Sequence, residues 1–268
     1  VFVVLNTTGT NLWIAMLASL LAGMLAGLAT GILHTFCGIP AILSGILTQL
    51  GLWSINMAIM GMKATVAINV STPELLDKLL VSLRFVKDVA NGTRPFYRHP
   101  ILVVGIFTVI LIAILYWFFG TELGCALRST GSNPAMSRAQ GINTNFTTVL
   151  GLMLSNGLVA LSSALLSQYQ GFADVSMGRG AIVIGLAAVI IGDVIFGKVF
   201  TNFALKLLSV VIGSVIYYAV YSLVIWLGMS GDDMKLITSL IVALFLSIPY
   251  WKGKYFSKPA KKGGAANA

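Results

Sequence analysis

Residues 1–62 contain no Asp, Glu, Lys or Arg, and their only titratable side chains are His34 and Cys37. A bilayer span takes about 20 apolar residues, so this stretch is long enough to cross a membrane twice. It breaks at Cys37-Gly38-Ile39-Pro40, where glycine and proline end a helix. The rest of the chain continues in the same vein. Charged residues make up 9% of the sequence, against about 25% in soluble domains, and the mean hydropathy is +0.94. This composition excludes a cytosolic enzyme, a disordered tail and a nucleic-acid-binding domain of ordinary design. The net charge of +9, from 17 basic and 8 acidic residues, fits cytoplasmic loops of a membrane protein. Cys37 and Cys125 make neither a disulfide framework nor a metal set. Both fall near ends expected in the cytoplasm, where disulfides do not persist.

Further apolar stretches lie at 101–120, 142–173, 180–197, 203–228 and 236–251. The stretch at 180–197 is interrupted only by Asp193 and is short or broken. Lys206 stands near the start of 203–228, and 236–251 is on the short side. Only helices or closed barrels satisfy the backbone in lipid, and the alternation of barrel strands is not seen. The fold class is therefore all-α: a polytopic integral membrane protein with about seven to eight spanning or broken helices. The membrane domain is expected over residues 1–251, followed by a basic tail over 252–268. The chain opens on Val without a basic-then-apolar signal segment, so an upstream segment is expected to precede it.

Lys252, Lys254, Lys258, Lys261 and Lys262, with no acid among them, put the tail in the cytoplasm. Counting spans backward puts 121–145 inside and 63–100 outside. The outer loop carries Lys63, Lys78, Arg84, Lys87, Arg94 and Arg98 beside Glu74, Asp77 and Asp88, and its length weakens the charge rule. Part of it reads as an amphipathic helix. Thr72 caps it, Pro73 takes the first helical position and Glu74 the first turn. Leu75, Leu76, Leu79, Leu80, Leu83 and Val86 repeat at helical spacing before Asn91-Gly92 ends it. Such a helix lies on the membrane surface or packs on the bundle; the other reading is a docking site for an external partner.

Gly23, Gly27 and Gly31 are spaced by four and form a smooth face for close helix approach. Polar residues inside spans are costly in lipid. One stretch holds Ser44, Thr48, Gln49, Ser54 and Asn56; another holds Ser155, Asn156, Ser162, Ser163 and Gln168. Ser44, Thr48, Gln49, Asn56, Asn156 and Asp193 are candidates for a polar path, the alternative being hydrogen bonds between helices. The pattern Ser-x-x-Leu-[Ser/Thr]-Gln occurs at both 44–49 and 163–168, a weak trace of duplication. Asp193 faces a cavity, pairs with Lys198, or sits at a break near water. His34 and Cys37 lie three apart, but they lack the further ligands that a metal or catalytic site requires.

The segment TELGCALRSTGSNPAMSRAQGIN at 121–143 reads as a short helix between turns. Ser132 or Asn133 caps it, Pro134 starts it and Gly141 stops it. Arg128 and Arg138 can reach carboxylates or phosphates. A short capped helix tied to a span on each side makes a rigid lever, suited to docking into a groove of another protein.

The run Gly124-x-Ala126-x-Arg128-x-x-Gly131-x-Asn133-Pro134-x-Met136-x-Arg138-Ala139-x-Gly141-Ile142 resembles the cytoplasmic coupling segment of bacterial ABC importer permeases. The relatives are the branched-chain amino acid and simple-sugar permeases. The segments LSGILTQLGLWSINMAIMG at 43–61 and GFADVSMGRGAIVIGLAAVIIGD at 171–193 are similar to the tryptophan/tyrosine-type, largely uncharacterised amino-acid group within them. Together the resemblance covers most of the chain. It implies a type II-like importer permease fold and a second permease subunit, here a copy of the chain itself. It also implies two cytoplasmic ATPases, which would hold the ATP and Mg, and an external binding protein or lipoprotein. Arg128, Gly131, Asn133, Pro134, Met136, Arg138 and Gly141 match the coupling motif. The chain has no Gly-x-x-x-x-Gly-Lys-[Ser/Thr] loop, so no cofactor is expected in it and ATP hydrolysis falls to a partner. The resemblance favours an amino acid as cargo, with localisation in the bacterial inner membrane. The rival reading is an ion-coupled secondary transporter or channel using Asp193, which would leave the 124–142 motif unexplained.

Overall fold

The uncharged first 62 residues fold as a short helix, α1 (Phe2–Thr7), and a hairpin of two long ones, α2 (Leu12–Thr35) and α3 (Ala41–Ile59). The computed structural model describes residues 1–68, 100–178, 181–197 and 202–226, with four helical positions at 239, 240, 243 and 247. The amphipathic helix expected at 72–92, all but four positions of the stretch at 236–251, the tail at 252–268 and Lys198 lie outside them. The chain divides into two compact units, Val1–Met177 and Gly178–Ala268.

In the first unit, α3 leads into a short strand, β1 (Thr65–Ala67). Later come α4 (Pro100–Gly120), α5 (Glu122–Ser132), α6 (Pro134–Ala139), α7 (Thr144–Gln170) and a second strand, β2 (Phe172–Asp174). The strands are a departure from an all-helical reading. They pair antiparallel, Thr65 opposite Asp174 and Ala67 opposite Phe172. Three residues are too few to show a period of two. Gly171, with φ 78°, gives α7 its left-handed C-cap, and the chain turns from there directly into β2. The Thr65 hydroxyl donates to Asp174 Oδ2 at 2.7 Å.

The centre of this unit is the antiparallel pair α2–α7, and glycine sets its spacing. A Cβ built at Gly23 would lie 2.6 Å from the Asn156 carbonyl oxygen. At Gly27 it would run into the Leu152 carbonyl and lie 2.7 Å from Met153 Cα. At Gly31 it would lie 3.1 Å from Val149 Cα. Gly157 answers from α7, where an added Cβ would lie 2.8 Å from Met24 Cγ. Two backbones this close gain dispersion contacts along their length, which is what holds helices together in lipid. At the sheet end, Phe2, Val3, Leu12, Ala15, Met16, Ile68, Leu161 and Ala164 form a buried apolar cluster.

α3 holds to α2 by polar contact. Thr30 donates to Thr48 Oγ1 at 2.9 Å, and Thr48 donates in turn to the Ser44 carbonyl at 2.9 Å. Ser44 is the one buried residue of α3. Thr48→Val should therefore lower the melting free energy by about 0.6 kcal/mol, the usual worth of an interhelical hydrogen bond in a membrane. A loss near 3 kcal/mol in a detergent melt would show that the pair carries more of the hairpin than this. The two Ser-x-x-Leu-[Ser/Thr]-Gln stretches do not play matching parts: Ser44 and Gln168 are buried, whereas Ser163 and Gln49 are exposed.

The second unit contains α8 (Ala181–Phe196) and α9 (Phe203–Trp226). These also close on glycine: a Cβ at Gly192 would strike the Ser209 carbonyl, and one at Gly213 the Ala188 carbonyl. Four helices among the described residues are long and apolar enough to cross a membrane, or five if the bent pair α4–α5 counts as one. Of the seven to eight read from the sequence, the one at 236–251 lies almost wholly outside the described residues. α8 falls short of a span at 16 residues, about 24 Å at 1.5 Å per residue. Large apolar side chains cover the outside, among them Ile42 (81% exposed), Phe36 (76%) and Trp117 (73%). Water would not tolerate such a surface, whereas lipid requires it.

Candidate functional site

The segment between α4 and α7 sits at the end of the first unit opposite the sheet. Its shape follows from four local devices. α4 and α5 meet at an angle of 83°. Thr121 caps α5, its hydroxyl oxygen accepting from Gly124 N at 3.3 Å. A Cβ at Gly124 would collide with the Phe118 carbonyl and Phe119 Cα, so the tight return needs glycine there. Asn133 caps α6, its Oδ1 accepting from Met136 N at 3.1 Å, with Pro134 in the first turn. Gly141, at φ 83°, turns the chain out of α6. Asn143 then caps α7 by accepting from Phe146 N at 3.2 Å.

The sequence predicts one short helix in this segment, where the structure has two, α5 and α6. ELGCALRSTGS mixes small, polar and charged residues, so apolar periodicity is weak there; the signal that could have found it is Thr121 as a cap with Glu122 in the first turn. α5 packs on α7 through the Thr130 and Thr147 hydroxyls, 2.9 Å apart, and through Leu127 against Gly151.

The matched residues divide by what they touch. Gly131, Asn133, Pro134, Met136 and Gly141 are exposed, Met136 by 60%. Arg128 is exposed on α5. Arg138 is exposed too, but its guanidinium turns back: Nε donates to Thr144 Oγ1 at 2.7 Å, bridging α6 to the first turn of α7. Beneath that bridge lies a cleft of about 310 Å³. Its lining includes His34, Thr130, Pro134, Arg138, Thr144 and Asn145. His34 is oriented by an Nδ1 hydrogen bond to the Ile39 carbonyl at 2.8 Å.

The candidates for a polar path divide as well. Thr48 is taken up between α2 and α3, whereas Ser44 Oγ donates to the Ala41 carbonyl and Asn156 Nδ2 to the Leu152 carbonyl of their own helices, each at 2.9 Å. Gln49 and Asn56, seven apart, share one face of α3 and are exposed. Neither has a partner among the described residues. Asp193 is exposed near the C-terminal end of α8, in the second unit. Among the described residues, no group of three or more His, Cys, Asp or Glu could hold a metal ion, and Cys37 and Cys125 are free and exposed.

Residues 1–248 match the family described as branched-chain amino acid transport system / permease component. The tyrosine transport system permease protein of Clostridioides difficile (strain R20291) is 39% identical over 241 residues, covering 90% of this chain and 74% of that protein. An uncharacterized protein of Rickettsia prowazekii (strain Madrid E) is 30% identical over 211 residues, 78% of this chain and 69% of its own. A nucleoside ABC transporter permease protein of Lactococcus lactis subsp. cremoris (strain MG1363) is 38% identical over 89 residues, 32% of this chain and 28% of its own. No solved structure matches the chain significantly. The chain thus belongs to the branched-chain amino acid transport system permease family: it is the membrane-spanning permease subunit of an ABC transporter, working with a separate ATPase.

Proposed function

We propose that this permease imports an amino acid with an aromatic side chain across a bacterial cell membrane. The observation that carries this reading is the 39% identity to a tyrosine transport permease over nine-tenths of the chain. In this reading residues 1–251 form one permease domain of type II-like fold, which pairs with a second copy of itself. Residues 252–268 form a basic cytoplasmic tail. Residues 121–145 face the cytoplasm and dock on two ATPase subunits, which bind the ATP and Mg, while 63–100 faces outward. An external binding protein or lipoprotein delivers cargo there.

The mechanism follows from which parts are rigid. Closure of the ATPases on ATP displaces α6, whose exposed Met136 fills an apolar groove on them. Arg138 ties α6 to the first turn of α7, and the Thr130–Thr147 pair ties in α5. α7 and α2 then move as one body, because their glycine seam leaves no slack for sliding. Gln49 and Asn56 line the path. Polar side chains exposed on a spanning helix need a watery cavity or a partner, since lipid offers neither. Transport requires that cargo and ATP favour different states.

The test is uptake into proteoliposomes holding the permease, its ATPase and the binding protein. With internal ATP, labelled tyrosine should accumulate well above labelled leucine or a nucleoside; a preference for either of the latter overturns the cargo assignment. Replacing Gln49 and Asn56 together by Leu should lower that uptake about tenfold, since each lost polar contact is worth on the order of 0.5–1.5 kcal/mol. The melting temperature should hold. Uptake at the parent rate would remove both residues from the path.

A further inference from the structure

We propose that Gln49, Trp53 and Asn56 form the contact at which the permease holds an aromatic amino acid, the indole taking the ring and the two carboxamides its polar ends. This rests on the assignment of an aromatic cargo. The three side chains lie four and three residues apart on α3, so they make one stripe about 10 Å long, at 3.6 residues per turn and 1.5 Å per residue. Gln49 and Asn56 are exposed, and Trp53 is 46% exposed. Neither carboxamide nor the indole N–H meets a partner among the described residues. Gln49 stands at the middle of a 19-residue helix that is apolar enough to span. That is the depth at which lipid is driest, and an amide there is costly unless a polar group faces it.

The stripe is open because α3 is held to α2 from another side. Thr48, which bonds to Thr30, lies roughly 100° around the helix from Gln49. Acyl chains do not match the stripe, since they offer no hydrogen bonds. A second copy of α3 matches it poorly: helices pack closely in membranes through small side chains, and here an indole stands in the middle of the face. An aromatic amino acid matches it in order, a polar end, a ring and a polar end. A carboxamide both donates and accepts, so it can meet an ammonium, a carboxylate or a phenolic hydroxyl. The indole offers a flat apolar face on which a second ring gains more than burial alone. The spacings of four and three residues set these side chains next to one another.

The three residues then divide the work of recognition. The carboxamides serve the ammonium and carboxylate that every amino acid carries, and they offset the cost of drying those charges. Only the indole reads the ring. Trp53 is therefore the residue that separates aromatic from aliphatic cargo, and another aromatic side chain in its place should preserve the distinction.

The experiment uses the permease with its ATPase and binding protein in proteoliposomes with internal ATP. Trp53→Phe should keep uptake of labelled tyrosine near the parent rate, and Trp53→Leu should lower it about fivefold, the worth of a ring pair; melting curves check that both fold. In parallel, Cys37 and Cys125 are replaced by Ser and Ala, and single cysteines are introduced by Gln49→Cys, Asn56→Cys and Leu47→Cys. Leu47 is 43% exposed on the opposite face of α3. A charged, water-soluble thiol reagent should modify the first two and not the third, and tyrosine, but not leucine, should slow the reaction. Equal tyrosine uptake by the Trp53→Phe and Trp53→Leu proteins overturns the ring contact. So does tyrosine uptake by the parent when neither cysteine of the stripe reacts; a disulfide joining two copies of the Gln49→Cys protein would then give the stripe to a second copy, and its absence would give it to lipid. Reactive cysteines without tyrosine uptake by the parent would instead overturn the cargo assignment, and with it the contact that rests on it.

Discussion

Gly27→Ala will destabilise the first unit by about 2–3 kcal/mol, the upper part of the range for overpacking. The added methyl meets the Leu152 carbonyl and Met153 Cα. Both belong to the backbone of α7 and cannot rotate aside, so the two helices must separate along their whole seam. Gly27→Leu will go further and leave no cooperative melt. Gly45→Ala is the control: nothing lies within 4 Å of its Cβ position, and the gain in helix propensity of about 1 kcal/mol is free to appear. Melting curves in detergent, followed by circular dichroism, read all three. Equal stability of the Gly27→Ala and Gly45→Ala variants would mean that α2 and α7 do not approach as closely as the structure has them.

Met136→Glu will uncouple the permease from its ATPase. Met136 is an apolar side chain 60% exposed on a helix that is capped from its own segment, so the change leaves the fold alone. It places a charge where the proposed docking face is apolar. Loss of one central anchor costs about 2 kcal/mol or more, near thirtyfold in affinity. Recovery of the ATPase on affinity-purified permease and ATP-driven uptake should fall together. Met62→Glu is the matched control, 75% exposed at the sheet end. Equal loss in both variants would point to general damage rather than to docking.

Much of this arrangement was legible in local chemistry. Runs without charge gave α2, α3, α4 and α7, because lipid forbids ionised groups more strictly than water forbids apolar ones. Asn133-Pro134 and Gly141 marked the ends of α6, because caps depend on neighbours in sequence. What stayed hidden depends on distant neighbours. Gln49 and Thr48 are adjacent, yet one is exposed and the other bonds to Thr30; only the placement of α2 separates them. The strands carry too few residues to show a period, and they are made by pairing across 109 positions from Thr65 to Asp174. The turn of Arg138 toward Thr144 is likewise set by the fold of the 133–144 segment, not by its composition.

In the proposed mechanism α6 carries the ATPase contact. Cross-linking tests it most directly. Cys37 and Cys125, both exposed, are first replaced by Ser and Ala. A single cysteine is then introduced by Met136→Cys or Met62→Cys, and a short bifunctional reagent is applied to native membranes. An ATPase, recognised by mass spectrometry through its phosphate loop, should appear on the Met136→Cys protein and not on the Met62→Cys protein. Capture of the ATPase only from the Met62→Cys protein, or from neither under conditions that trap a known ABC complex, would contradict it.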